Sequence, residues 1–451
     1  MNLTFRCLYI SLSAILISSV VCVSANDVIA EDEATSMETD AEQQLSSSSE
    51  STPQLDAESI TAEPVSIRKE MTEEQKRSIQ NYAELIDQLE STGGVYQVEL
   101  SEVLLSLGAT YQSMDLHKEA IDAFERSMHI RRVNDGLYSL DQIAILENMI
   151  ESNTKLKDWE NLNKNYHNLF WLSKRHHGDN SPDLLETIDK VGRWHLKAYE
   201  LIPDGQGFSH LLDAEYLYGK AVNIIEQTDG QHDLRLINAL YGIALTNYQI
   251  AARVNNAEKF DDINSAFRHS DRRRSLQQQR AREDLIIRSF VKGKNAMNRI
   301  IEVHSSNPIL PVDTQAIALT HLGDWYLLFN KRNSAASTYQ QAYDLLNNEG
   351  FDQSSIDSLF GRPRTLPAIS LPTFKEIEVA DENPSYVLAS FDVSASGRAQ
   401  NIEIIESNPS DNISFQRRAK KSIATTKFRP RYEDGKAVTT TGVSLRYVFN
   451  E

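Results

Sequence analysis

Few side chains in this sequence could carry chemistry. His176-His177-Gly178-Asp179 is the one tight His/Asp cluster, and adjacent imidazoles beside a carboxylate are donors a metal ion can use. The same four residues also fit a loop between helices, with Gly for the turn and Asp for local hydrogen bonds, and that reading accounts for them better. No Gly-rich loop ends in Gly-Lys-Ser/Thr, no Gly-x-Ser-x-Gly elbow occurs, and no His-Glu-x-x-His is found. Both cysteines, Cys7 and Cys22, precede Ala25. A chain trimmed there would have neither disulfides nor thiol chemistry. No catalytic residue, metal ligand or cofactor is therefore expected, and the chain reads as a non-enzyme.

The remaining chemistry is that of an unpaired backbone. Val443, Leu445, Tyr447 and Phe449 alternate with Ser444, Arg446 and Val448, the period of a half-buried strand. A last strand at a sheet edge offers free N–H and C=O groups to an added peptide strand. The same edge could instead pair internally or in a homodimer.

The elements that must position this strand read off the preceding residues. Val387, Ala389, Phe391 and Val393 alternate as a first strand, and Gly397 marks a hairpin turn. Ala399 to Glu406 forms a second strand, with Ile402 and Ile404 on one face. Phe415, Ala419 and Ile423 fall at i, i+4 and i+8, one stripe of a helix over Ser414 to Thr426. Arg417, Arg418, Lys420 and Lys421 lie off that stripe and read as a solvated face. The order strand, strand, helix, strand predicts a small α+β unit with an antiparallel sheet and one covering helix.

This stretch resembles the C-terminal domain of the TonB family. Phe391-Asp392-Val393, Gly397-Arg398, Ile402, Pro409, Phe415, Arg417, Ala419 and Phe428-Arg429-Pro430 follow that family's order at near-family spacing. The resemblance implies a periplasmic module that grips the N-terminal segment of an outer-membrane transporter by strand addition. It makes the backbone of Val443 to Phe449 the candidate site. Family members carry a Tyr-Pro before the sheet, where this chain has Leu371-Pro372-Thr373-Phe374. They also have a membrane helix with a His that couples to a proton-driven motor, and Met1 to Ala25 has no His. Docking is thus implied more strongly than energy transduction.

Upstream, a helical pattern repeats. Leu104, Leu107, Gly108, Tyr111, Ala120 and Phe124 return with the same spacing as Leu319, Leu322, Gly323, Tyr326, Ala335 and Tyr339, and Ala342 continues the second set. Leu146, Met149, Ile150, Leu162, Tyr166 and Leu169 follow more loosely, and a third unit uses Trp194, Ala198, Ala214, Tyr218 and Ala221. The pattern, small residues where helices cross and large ones around them, is that of tetratricopeptide (TPR) repeats. Leu104 and Leu146 are about 42 residues apart, against the usual 34. The stretches from Gly178 and Gly230 resemble the loops of longer, kinesin-light-chain-like repeats. A fourth unit near Leu240 and Ala244 is interrupted by a charged stretch, Asn255 to Glu283, which reads as an exposed extension or loop. Stacked helix pairs of this kind bind peptides or hold partners. Here the concave face is expected to take another envelope protein, or else to serve as a spacer.

The expected fold is mostly α, a TPR-like α-solenoid followed by a small α+β TonB-C-like domain. The expected segments are a signal peptide (1–25), an acidic tether (26–70), the array (71–350), a Pro-containing linker (351–373) and the C-terminal domain (374–451). Arg6, the apolar run Leu8 to Val23 and Val23-Ser24-Ala25 predict export to the periplasm, with an uncleaved inner-membrane anchor as the alternative. The tether is acidic and poor in apolar residues, with a coil span of roughly 35–40 Å. A net charge of −18 and a pI near 5.1 exclude nucleic acid as a partner, because a phosphate binder needs a basic face.

Overall fold

The structure is a computed structural model that describes residues 71–201, 207–265, 272–367 and 385–449, and for 255–265 and 272–278 the backbone alone. The export signal and tether, expected over 1–70, lie outside the described residues, as does Leu371-Pro372-Thr373-Phe374.

Eleven helices in succession pack each on the next: α1 (Glu73–Gly93), α2 (Val98–Ser113), α3 (His117–Asp135), α4 (Gln142–Leu156), α5 (Trp159–His177), α6 (Leu185–Leu201), α7 (Phe208–Thr228), α8 (Arg235–Ser265), α9 (Arg272–Ser306), α10 (Val312–Leu328) and α11 (Arg332–Asn348). Thr72 opens the array with a reciprocal capping box to Gln75. Within three pairs the turn is the same object. Asp115, Lys157 and Asn330 each adopt a left-handed conformation, with φ of 59°, 56° and 60°. In each case the following N–H reaches back five residues: Leu116 to the Tyr111 carbonyl, Asp158 to Asn153 and Lys331 to Tyr326, at 3.0, 3.0 and 2.8 Å. This reach-back satisfies carbonyls that the ending helix leaves open.

The repeat residues pack as their sizes dictate. A Cβ on Gly108 would lie 2.3 Å from the Phe124 ring, and one on Gly323 would lie 2.5 Å from the Tyr339 ring. Each glycine lets the ring of the second helix lie flat on the first. Gly192 receives Tyr218 in the same way, at 3.1 Å. Trp194 anchors the middle of the array, fully buried, stacked on Tyr166 with centroids 5.3 Å apart and donating Nε1–H to Asn163 Oδ1 at 2.9 Å. Of the charged stretch Asn255 to Glu283, residues 255–265 continue the backbone of α8 and 272–283 begin α9, helices of 31 and 35 residues.

After α11 the chain makes α12 (Gln353–Phe360), capped by Asp352, and buries Ile356 and Phe360 against Tyr339 and Ala342. Part of the stretch expected as linker is therefore built into the array's end. Strand β1 (Arg364–Thr365) follows. The C-terminal sheet has the order β3-β2-β7, all antiparallel, from β2 (Ser385–Val393), β3 (Ala399–Asn408) and β7 (Thr440–Phe449). Helix α13 (Ile413–Thr425) is capped by Asn412. It lays Phe415, Ala419 and Ile423 on the buried face of β2, namely Val387, Ala389, Phe391 and Val393. Between α13 and β7 come three short strands the sequence pattern did not reveal: β4 (Phe428–Arg429), β5 (Arg431–Glu433) and β6 (Lys436–Val438). β4 pairs with β1, and β5 with β6.

Candidate docking site at the C-terminal sheet edge

β2 is the middle strand. Its register with β7 runs from Ser385 opposite Phe449 to Phe391 opposite Val443. Among the described residues no strand pairs with the other side of β7. Val443, Leu445 and Tyr447 are half-buried, Phe449 is buried, and Ser444, Arg446 and Val448 are exposed. The alternation follows from one face lying over α13 and the other facing solvent. Phe449 stacks on Phe415 with centroids 4.3 Å apart, and Arg418 lies 5.1 Å above the Phe449 ring, which fixes the end of the strand. On the exposed face Arg446 sits 3.8 Å above the Tyr386 ring, bracing β7 against β2.

Beside the first half of β7 is a cleft of about 710 Å³. Phe391, Phe428, Val443 and Leu445 line one part of it, and Arg364, Thr365 and Pro367 another. The β1–β4 pair therefore forms a wall next to the open edge. A strand added to β7 would have an apolar recess within reach of its side chains.

The module holding this edge is fixed to the last repeat. Arg429, in β4, donates from Nε to Asp324 Oδ1 at 2.8 Å and from Nη2 to Asp324 Oδ2 at 2.5 Å, and from Nη1 to the Leu359 carbonyl at 3.2 Å. Tyr339 donates its hydroxyl to the same Asp324 Oδ1 at 2.7 Å. Burial works against the Arg429 charge, but Asp324 and Tyr339 lift its pKa above the ordinary value. Burial and the Asp324 charge push the Tyr339 hydroxyl well up, so it stays a donor. Tyr432 packs its ring on Phe360 and Tyr339, with centroids 5.3 and 5.6 Å away. Lys427 donates to the Leu328 carbonyl, and burial with the nearby Arg398 and Arg332 lowers its pKa to about 8. Gly397 passes so close that a Cβ there would sit 2.1 Å from the Phe428 carbonyl oxygen, and its φ of 73° suits glycine.

The signature residues of the repeats are brought together within their helix pairs. Leu104, Leu107, Ala120, Phe124, Leu322, Ala335, Tyr339 and Ala342 are buried, and Tyr111, Leu319 and Tyr326 are half-buried. The basic residues Arg417, Arg418, Lys420 and Lys421 are exposed on α13. The His176 cluster is not gathered around one point. Asp179 pairs with Lys220 at 2.5 Å and Lys174 at 3.0 Å, while His177 faces Asp183 at 3.7 Å. Sequence reasoning missed Asp324 and Arg429. A signal was present: Gly323 is followed by Asp324 where the matching Gly108 is followed by Ala109, and Ala109 is exposed. A buried acid at the outer side of the final repeat implies a cationic partner from elsewhere in the chain.

Residues 372–450 match the family described as Gram-negative bacterial TonB protein C-terminal. No curated protein matches the chain. Among solved structures, BtubC (BKLC) from P. vanneervenii is 12% identical, with a TM-score of 0.33, covering 62% of this chain and 93% of that one. A kinesin light chain from Podosopora anserina with nearly identical TPR-like repeats is 10% identical, with a TM-score of 0.34, covering 56% of this chain and 99% of that one. The chain thus carries a TonB C-terminal-like domain behind an array of helices that pack each on the next. No helix among the described residues is long and apolar enough to cross a membrane.

Proposed function

We propose that this protein is a non-enzymatic docking adaptor of the Gram-negative cell envelope. Its C-terminal module takes an extended segment of an outer-membrane transporter as an added strand along β7, from Val443 to Phe449. The array presents the module from the periplasm and recruits a second envelope protein. The observation that carries this reading is the unpaired side of β7 within a domain that matches the TonB C-terminal family. A strand edge recognises main chain first, with side-chain recesses supplying selectivity, and the Phe391–Phe428 cleft suits that second role.

A second reading has its own support. The buried Arg429–Asp324 pair ties the module to the last repeat, as expected of a scaffold whose C-terminal unit caps the array. The full chain, used as bait on solubilised outer membrane, separates the two. Leu445→Pro and Arg446→Pro form the critical pair of variants. In an antiparallel strand, alternate residues point their N–H to opposite sides, so one of the two removes an outward N–H and leaves the β2 ladder intact. Docking predicts that the variant which stays folded loses the transporter. Capture at the wild-type level by that variant supports the scaffold.

A further inference from the structure

We propose that His195, His210 and Asp213 bind one divalent transition-metal ion of the zinc class, joining α6 to α7. His210 and Asp213 are three residues apart on α7 and share a face of that helix. His195 meets them from α6. Its Nδ1 lies 2.8 Å from His210 Nδ1 and 4.0 Å from Asp213 Oδ2, and the three donor atoms all lie within 4.8 Å of one another. Zinc holds imidazole nitrogens and carboxylate oxygens at about 2.0–2.2 Å, which places tetrahedral donors roughly 3.3–3.5 Å apart. The observed separations bracket that spacing, so side-chain rotations alone can complete the geometry.

The chemistry of the donor set agrees. Two imidazole nitrogens and one carboxylate suit Zn²⁺ and its first-row neighbours, whereas Ca²⁺ and Mg²⁺ favour all-oxygen sites. Two Nδ1 atoms at 2.8 Å cannot both carry a proton between them, so at least one lone pair points at the other ring. A metal ion would bond to both Nδ1 atoms, with the proton between them moving to Nε2 of the ring that carried it. Asp213 is 58% exposed, which gives an ion a route in from solvent, while His210 is buried.

The test uses chelator-stripped full-length protein, titrated with Zn²⁺ by calorimetry and with Co²⁺ by visible absorption. The expected result is one saturable site, a tetrahedral Co²⁺ spectrum and a higher melting temperature with Zn²⁺. His195→Gln and Asp213→Asn should each weaken binding by about tenfold or more, since even the outer partners of metal ligands cost that much. Asp213 is exposed, so its variant keeps the fold where a His195 variant fails to. The His176→Gln/His177→Gln double variant is the control and should bind normally. Absence of saturable binding, unchanged affinity in Asp213→Asn, or loss of binding in the control would each overturn the proposal.

Discussion

Arg429 and Asp324, 105 residues apart in sequence, form a two-point ion pair whose side chains are 2% and 3% exposed. Breaking such a pair strands the remaining charge in a buried site, which costs about 3–5 kcal/mol, whereas replacing both partners by apolar residues is far milder. Arg429→Ala and Asp324→Ala should each destabilise the junction by about that amount. The Arg429→Met/Asp324→Leu double variant should recover most of the loss. Urea unfolding of the four proteins measures this. A double variant that loses the sum of the two single losses would show that the charges do not act on each other.

Tyr339 is the third member of the junction. Its counterpart in the first repeat is Phe124, which has no hydroxyl, whereas the Tyr339 hydroxyl donates to Asp324 beside Arg429. Tyr339→Phe removes a hydrogen bond to a charged acceptor and should cost about 1.5–3 kcal/mol. In the Asp324→Leu background the same change should cost little. Additive losses would contradict the coupling.

Gly323→Ala drives a methyl group into the Tyr339 ring, at 2.5 Å from its nearest atom. Tyr339 is held from its other side by Phe360 and Tyr432, so it cannot retreat. Overpacking of this kind costs about 1–3 kcal/mol. The loss should appear as a lower melting temperature and as faster amide exchange in both α10 and β4. Exchange confined to α10 would mean that the junction does not transmit the strain.

His321 accepts or donates a 2.7 Å hydrogen bond with Tyr241, and burial lowers its pKa to about 4. Its folded pKa is below the unfolded 6.5, so between about 4 and 6.5 the unfolded chain binds more protons. Stability from this group is therefore present above that window and is lost as pH falls through it. Asp189, raised to about 6 by burial, acts oppositely in part of the same range. The informative quantity is thus the difference between wild type and His321→Gln, and the wild type should lose more stability on acidification. Parallel pH profiles would contradict the assignment.

Much of this was legible because the patterns are local. Phe415, Ala419 and Ile423 declare their helix by spacing, and Val387 to Val393 declare their strand by alternation. Gly108 with Phe124, and Gly323 with Tyr339, gave the repeat because a close helix crossing demands a small residue opposite a ring. What stayed hidden depends on distant residues. β4, β5 and β6 are too short to show a period, and β1 forms only because β4 is there to pair with it. Arg429 reads only as part of the Phe428-Arg429-Pro430 motif, because nothing nearby in sequence tells of Asp324. The helix α12 fell in a stretch dominated by its following prolines. His195 and His210 sit on different helices, so their meeting has no signature at sequence level.

Amide hydrogen exchange along residues 440–449, with the captured outer-membrane partner present and absent, tests the central claim most directly. Strand addition replaces water by carbonyl partners at the outward N–H groups of β7. The account predicts strong new protection in β7 on binding, with the β3 edge unchanged. Protection on the array or on β3, with β7 exchanging as before, would contradict docking at this edge.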